Sequence, residues 1–278
     1  MGSEAARAAQ VVRVRGQEAN TASDWLAIER PLEIRARAGG GTRVVSTTMR
    51  TPGQDRALVA GFLFAEGVIA NAGDLLALET VSEDAVVVEL PAAALAALEA
   101  TRRPFVTTGA CGVCGRASME GLQGPRDLGP TGAAESGPSG GFTVSATVIH
   151  GLPAALREAQ ATFDRTGGLH AAGLFTAGGA LRAVHEDVGR HNAVDKLVGT
   201  LLLADGLPAV DAVLMVSGRA SFELVQKAAA AGIPVMVAVG APSSLAVEIA
   251  EAAGLTLVGF AREQRFNVYA GPHRVSGI

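Results

Sequence analysis

Val210-Asp211-Ala212-Val213-Leu214-Met215-Val216-Ser217-Gly218-Arg219-Ala220-Ser221 is the stretch that decides the fold. An apolar run, Val210–Val216, ends in a polar turn with a glycine, and Phe222–Ala231 behind it reads as a helix. Val235–Val239 repeats the form, with Gly240-Ala241-Pro242-Ser243-Ser244 as its turn, Leu245–Ala253 as its helix and Leu255–Phe260 as the next strand. Strands without polar alternation, separated by helices of about a dozen residues, belong to a sheet covered on both faces. Upstream, Gly189–Leu203 reads as helical, Leu169–Thr176 and Ala180–Val184 as paired strands, and Pro153–Phe163 as a helix. Residues 142–278 are therefore expected to form an α/β domain of three layers.

Residues 123–141 contain six glycines and three prolines and almost no bulky apolar side chain, the composition of a linker. Residues 1–122 before it read as a smaller α+β domain. Trp25–Arg37 alternates in part and Thr42–Met49 is β-branched, so a meander is expected. Pro52-Gly53 breaks it, Gln54–Glu66 has apolar residues at helical spacing, Val86–Val88 is a short strand, and Pro91–Thr101 is an Ala/Leu helix. Met1–Gln10, rich in alanine, is expected to be frayed.

The 278 residues are 49% hydrophobic and carry a net charge of −4. Small apolar side chains supply most of the core, and the acidic balance argues against general nucleic-acid or membrane-surface binding. With no cationic, apolar leader and no run long enough to span a bilayer, the expected compartment is the cytoplasm.

Both cysteines of the chain fall in Thr107-Thr108-Gly109-Ala110-Cys111-Gly112-Val113-Cys114-Gly115-Arg116. Arg116 and the start of a short helix at Ala117-Ser118-Met119-Glu120 would stabilise a thiolate. A structural zinc clip needs four ligands, and none of His150, His170, His185, His191 and His273 stands at finger spacing. A thioredoxin-like redox pair lacks its early βαβ context. Inert loop thiols and a nucleophile or sulfur carrier complete the alternatives.

Ligands of an open α/β sheet lie beyond the carboxyl ends of its strands. Ser217, Gly218 and Arg219, with Ser221 as a helix cap, stand in that place, as do Gly240–Ser244 after the next strand; plain strand–turn–helix connections explain each equally well. In His185–Lys196, seven of twelve residues are charged or histidine, leading into the apolar face of a helix. A solvated helix start accounts for Asp187 and Asp195, whereas His191-Asn192 fall at the first turn, where a ligand could lie. Phe260-Ala261-Arg262-Glu263-Gln264-Arg265 sets two guanidiniums beside an aromatic, suited to phosphate pairing and base stacking; a solvated loop is its alternative.

Taken together, these pieces resemble the FdhD family of formate dehydrogenase accessory sulfurtransferases over nearly the whole chain. The resemblance rests on Arg50-Thr51-Pro52-Gly53 with Gly61–Gly67, Cys111-Gly112-Val113-Cys114-Gly115, Thr166–Ala172, Glu186–Lys196, Ser217–Ser221 with Glu223–Lys227, and Gly259–Arg265. Gly109-Ala110, where a small polar pair is expected, departs from the pattern. The resemblance implies that a cysteine desulfurase gives a sulfane sulfur to Cys111, with Cys114 as partner thiol. The sulfur would pass to the molybdenum or tungsten bis(pyranopterin guanine dinucleotide) cofactor destined for formate dehydrogenase. It further implies Phe260–Arg265 as the segment associated with that cofactor or a GDP-like part of it, a homodimer, and a C-terminal domain similar to the cytidine deaminase fold. Read from their own positions, Ser217, Gly218, Arg219, His191, Asn192 and Asp187 join them as candidates for holding it, with Arg219, Arg262 and Arg265 as the local cations, and no metal of the protein's own is expected. Two rivals stand beside it. A zinc deaminase needs HxE and PCxxC, and here His185-Glu186 are adjacent and Ala110 precedes Cys111. A chaperone that only holds the guanine dinucleotide cofactor needs no thiol chemistry.

Overall fold

The computed structural model describes residues 5–38, 41–100, 105–106 and 141–278. Cys111, Cys114 and all but the last residue of the 123–141 stretch lie outside them.

The larger lobe is built on a six-stranded sheet. In chain order its strands are His170–Phe175 (β9), Leu181–Asp187 (β10), Val213–Val216 (β11), Val235–Ala238 (β12), Thr256–Arg262 (β13) and Arg265–Ala270 (β14). Their order across the sheet is β10-β9-β11-β12-β13-β14; β11, β12 and β13 are parallel, and β9 runs against β11. Val213 and Met215 point to a core shared with Ile149, Leu152 and Leu156 of helix Ala146–Glu158 (α3). Leu214 and Val216 point to the opposite core, closed by Arg190–Leu203 (α5), Phe222–Ala230 (α6) and Ser244–Ala252 (α7). Both faces are covered, which is why these strands show no polar alternation.

The expected helix Pro153–Phe163 is displaced. Helix α3 begins at Ala146, where Ser145 accepts the Val148 N–H at 3.2 Å, and Pro153 lies inside it. A separate helix, Ala161–Thr166 (α4), follows. Proline is best placed in the first turn, but the serine cap two turns upstream sets the start. Strand β10 runs to Asp187, so Glu186 and Asp187 end a strand rather than open a helix. Phe260–Arg265, expected as a loop, is the end of β13 and its turn into β14.

The smaller lobe has the sheet order β5-β6-β3-β4-β7, from Arg30–Ala38 (β3), Gly41–Arg50 (β4), Ala77–Ser82 (β5), Ala85–Glu89 (β6) and Phe105–Val106 (β7). Leu32, Ile34 and Ala36 alternate inward against Leu58, Val59 and Leu63 of Asp55–Ala65 (α1) and Leu98 of Ala92–Ala100 (α2). The amino terminus corrects the sequence reading. Ala6–Arg15 (β1) is no frayed tail; it pairs in full register with Glu18–Ala27 (β2), turning at Gly16 with φ +60°. Such a backbone angle suits glycine in a tight hairpin turn, and the cross-strand ladder overrides the local preference of an alanine-rich segment.

Helices α1 and α5 join the lobes at a crossing of two glycines. A Cβ on Gly61 would stand 1.9 Å from the Asp195 carbonyl oxygen, and one on Gly199 would stand 1.9 Å from that of Ala57. Leu202 of α5 is buried in the core of the smaller lobe.

Candidate functional site

The loops after β11 and β12 and the last residues of β13 meet at one edge of the larger lobe, the carboxyl ends of its parallel strands. Gly240 N–H donates to the Gly218 carbonyl at 2.9 Å, and Phe260 N–H donates to the Gly240 carbonyl at 3.1 Å. Ser217 joins the neighbouring strand: its Oγ accepts from Ala171 N–H at 2.9 Å, and its own N–H donates to the Ala171 carbonyl. Gly240 lies in close approach to its neighbour: a Cβ there would stand 3.0 Å from both Cα and Cγ of Arg219. Phe260 takes φ +53° and is 40% exposed. A left-handed aromatic residue is strained, which favours a role for its placement beyond packing.

Gly189, Ser221 and Ser243 cap α5, α6 and α7 around this edge, so amide-rich helix starts point toward it together with the exposed Arg219. That combination suits an anion beside an aromatic or planar group. His191 Nε2 lies 2.7 Å from Glu223 Oε2 and 3.3 Å from Ser221 Oγ. Half-buried His170 lies next to Gly218; burial first, then the nearby Arg190 and His191, hold its pKa below the ordinary value. The rest of the predicted segment divides. Ala261 is buried, whereas Arg262, Glu263, Gln264 and Arg265 line an open cleft of about 680 Å³ with Pro153 and Ala154 of α3. Arg262 Nη1 donates to the Val239 carbonyl at 2.8 Å, tying the cleft to the strand ends.

Asp187 and Asn192 stand elsewhere, in a closed polar knot between the lobes. Asp187 is fully buried. Its Oδ1 accepts from Gly189 N–H at 2.8 Å and Asn192 Nδ2 at 3.0 Å; its Oδ2 accepts from Thr51 N–H at 3.1 Å and lies 2.7 Å from Lys196 Nζ. Lys196 Nζ also donates to the carbonyls of Thr51, at 2.9 Å, and Glu186, at 3.3 Å. Asn192 completes the link, donating to the Met49 carbonyl and accepting from Thr48 Oγ1. Among the described residues these groups bond to one another and to the main chain, which places Asp187 and Asn192 in the packing between the lobes. His191, one residue away, faces the edge.

Around the knot stand residues absent from the predicted set: Thr48, Arg50, Thr51, His185, Lys196, and the buried ion pair of Asp195 with Lys227. Arg50 is 1% exposed, with Asp55 on its Nε and Nη2 at 2.9 Å each. His185 contacts Gln54 Oε1 at 2.9 Å and Thr200 Oγ1 at 3.1 Å, and burial, with a smaller effect of Lys196, lowers its pKa to about 4. Burial pushes the Asp195 carboxyl up, against the pull of Lys227. Lys196 was legible in one respect: a charge flanked by Val194, Leu197 and Val198 on a buried helix face requires a partner. Among the described residues no three His, Cys, Asp or Glu side chains form a group that could hold a metal ion. No described helix is long and apolar enough to cross a membrane.

Fold and site thus define a two-lobed α/β protein with an open edge of helix starts beside Arg219 on one lobe and a polar lock holding the other lobe to it. Residues 27–276 match the FdhD/NarQ family, and the chain belongs to that family. It is 47% identical over 264 residues to the sulfur carrier protein FdhD of Nocardia farcinica, covering 92% of this chain and 89% of that one. To the protein of the same name from Mycobacterium tuberculosis it is 47% identical over 269 residues, 92% and 93% of the two chains. Among solved structures, it resembles a formate dehydrogenase accessory protein of Desulfotalea psychrophila with a TM-score of 0.74 and 25% identity, covering 98% of this chain and all of that one.

Proposed function

We propose that this protein is a cytoplasmic sulfur carrier for formate dehydrogenase maturation. The observation that carries the reading is the placement of both thiols of the chain in one CxxC, in a member of a family whose curated relatives are named sulfur carriers. The Cys111 thiolate attacks the terminal sulfur of a cysteine desulfurase persulfide. The donor S–S bond breaks, the donor cysteine leaves as a thiolate, and Cys111 holds the new persulfide, with no external oxidant. Its outer sulfur then goes as sulfide to the molybdenum or tungsten centre of the bis(pyranopterin guanine dinucleotide) substrate: a second thiolate, of Cys114 or of an external thiol, attacks the Cys111 sulfur, the persulfide S–S bond breaks, and the two thiols supply the two electrons as they join in a disulfide. If the Cys114 thiolate displaces that sulfur from Cys111, a disulfide remains to be reduced; loss of turnover in Cys114→Ala with loading intact would mark this route.

The substrate is held, in this reading, at the edge described above. Arg219 and the starts of α6 and α7 take pyrophosphate oxygens, Phe260 offers a stacking face, and His191 and neutral His170 border the seat. Arg262 and Arg265 add cations from the adjoining cleft. The sheet order, with β9 reversed against three parallel strands, supports the likeness to the cytidine deaminase fold.

Intact-protein mass spectrometry after incubation with a cysteine desulfurase and cysteine tests the reading. A gain of one sulfur mass in the wild type, reversed by reductant and lost in Cys111→Ala, is expected. GDP binding should persist in that variant. A chain that gains no sulfur yet binds GDP and activates formate dehydrogenase would instead be a cofactor-holding chaperone.

A further inference from the structure

Strand β14, outermost in the larger sheet, carries Asn267 and the chain's only tyrosine, Tyr269. Asn267 pairs across the ladder with Gly259, and its Nδ2 donates to the Tyr269 hydroxyl oxygen at 3.2 Å. The Tyr269 ring lies against Gly259. A Cβ on that glycine would stand 3.0 Å from Tyr269 Cε2 and 2.9 Å from Cδ of Pro242, in the turn before α7. Asn267 is exposed and Tyr269 half-buried. Phe260 follows Gly259 directly. Between the pairs Gly259–Asn267 and Arg262–Arg265, β13 has one residue more than β14. This is a β-bulge, and Phe260 holds there the left-handed angle that such a bulge ordinarily gives to glycine. Ala261 beyond it is back in the core shared with α3, while Phe260 stays exposed. A strained aromatic residue kept at the surface beside a polar pair points to a ligand that uses both.

The hydrogen bond within the pair fixes what each atom can offer. The Tyr269 oxygen accepts from Asn267, so its own hydrogen is left to donate; Asn267 keeps Oδ1 to accept and a second N–H to donate. A donor and an acceptor at fixed places beside an exposed aromatic face suit a flat heterocycle with both kinds of group on its rim. Guanine and adenine present the two kinds in opposite order at the six-position and the adjoining ring nitrogen. A fixed pair therefore satisfies one base and is left unpaired against the other. We propose that Asn267 and Tyr269 determine which base the edge accepts, hydrogen-bonding its rim while Phe260 covers its face. Both roles rest on the edge being the seat of the guanine dinucleotide, with the pyrophosphate at Arg219.

Calorimetric titration of the full chain with GDP and with ADP tests it. The wild type should bind GDP more tightly than ADP. Asn267→Ala and Tyr269→Phe should each weaken GDP about tenfold and lower the preference for GDP over ADP at least about threefold. Arg219→Ala should weaken both nucleotides alike and keep the preference. Asn267 is exposed, and Tyr269→Phe keeps the ring against Gly259, so both variants should melt with the wild type. Asn267→Ala carries the test alone should the tyrosine variant not fold. A wild type that does not bind GDP would overturn both the seat and the role of the pair. A wild type that binds GDP, loses it in Arg219→Ala and keeps its affinity and preference in the two β14 variants would overturn the pair alone. Equal binding of GDP and ADP by the wild type would do the same.

Discussion

The knot at Asp187 and the edge at Gly218, Gly240 and Phe260 differ in a way their sequences conceal. Both are built from short polar motifs at strand ends, most of them followed by helices; Phe260 alone leads into a hairpin. The knot is sealed: a carboxylate, an ammonium and an amide satisfy one another and the main chain across 136 or more residues of sequence separation. The edge is open: Arg219 and Phe260 are exposed, and helix starts face outward. Polar residues between lobes whose groups are all satisfied hold the protein together, and polar residues left facing solvent on a rigid sheet can hold something else.

The comparison can be broken most forcefully at the knot. Asp187→Ala leaves Lys196 buried without its counter-charge and should cost about 3–5 kcal/mol in urea unfolding, while the charge-free pair Asp187→Leu with Lys196→Met recovers the ionic part of that loss. A single variant as stable as the wild type would remove the knot from the stability of the fold. Gly199→Ala comes next, at roughly 1–3 kcal/mol or more, because its methyl would meet a backbone carbonyl and force α1 from α5.

Acid should act on the knot as well. The folded pKa of His185, about 4, lies below the ordinary 6.5, so the unfolded chain binds more protons between those values. Its contribution is complete above pH 6.5 and is lost as the pH falls toward 4, by at most roughly 3 kcal/mol. Stability curves of His185→Gln should be flatter over that window; parallel curves would reject the assignment.

The smallest effects on stability belong to the edge. Arg219→Ala should stay within about 0.5 kcal/mol of the wild type, and Phe260→Gly should gain up to about 1 kcal/mol by relieving its backbone strain. Calorimetric titration with GDP should nonetheless weaken about tenfold or more in both. Unchanged GDP binding in both variants would leave the edge without its proposed ligand.

Much of the larger lobe was legible in the sequence. The helices Phe222–Ala230 and Ser244–Ala252 match the reading within a residue and the strands they follow within three, because apolar runs and helical spacing are local signals. Phe260–Arg265 was readable as polar and aromatic but not as a hairpin, since pairing depends on Arg265–Ala270 arriving alongside. At the amino terminus, alanine content masked a strand whose partner begins three residues after it ends.

By itself, then, the sequence determined the alternation of strand and helix, the covered sheet, the family motifs and the pairing of both cysteines in one short segment. Those properties reside in near neighbours along the chain. Only the tertiary structure decided that Asp187 and Asn192 turn inward while Arg219 and Phe260 turn outward. Burial is set by what arrives from far away: Thr48 and Thr51 close over α5, whereas nothing in the described chain covers Gly218 and Phe260 to the same degree. A polar motif records that hydrogen bonds will be made, and the packing of distant segments settles whether the protein or a ligand makes them.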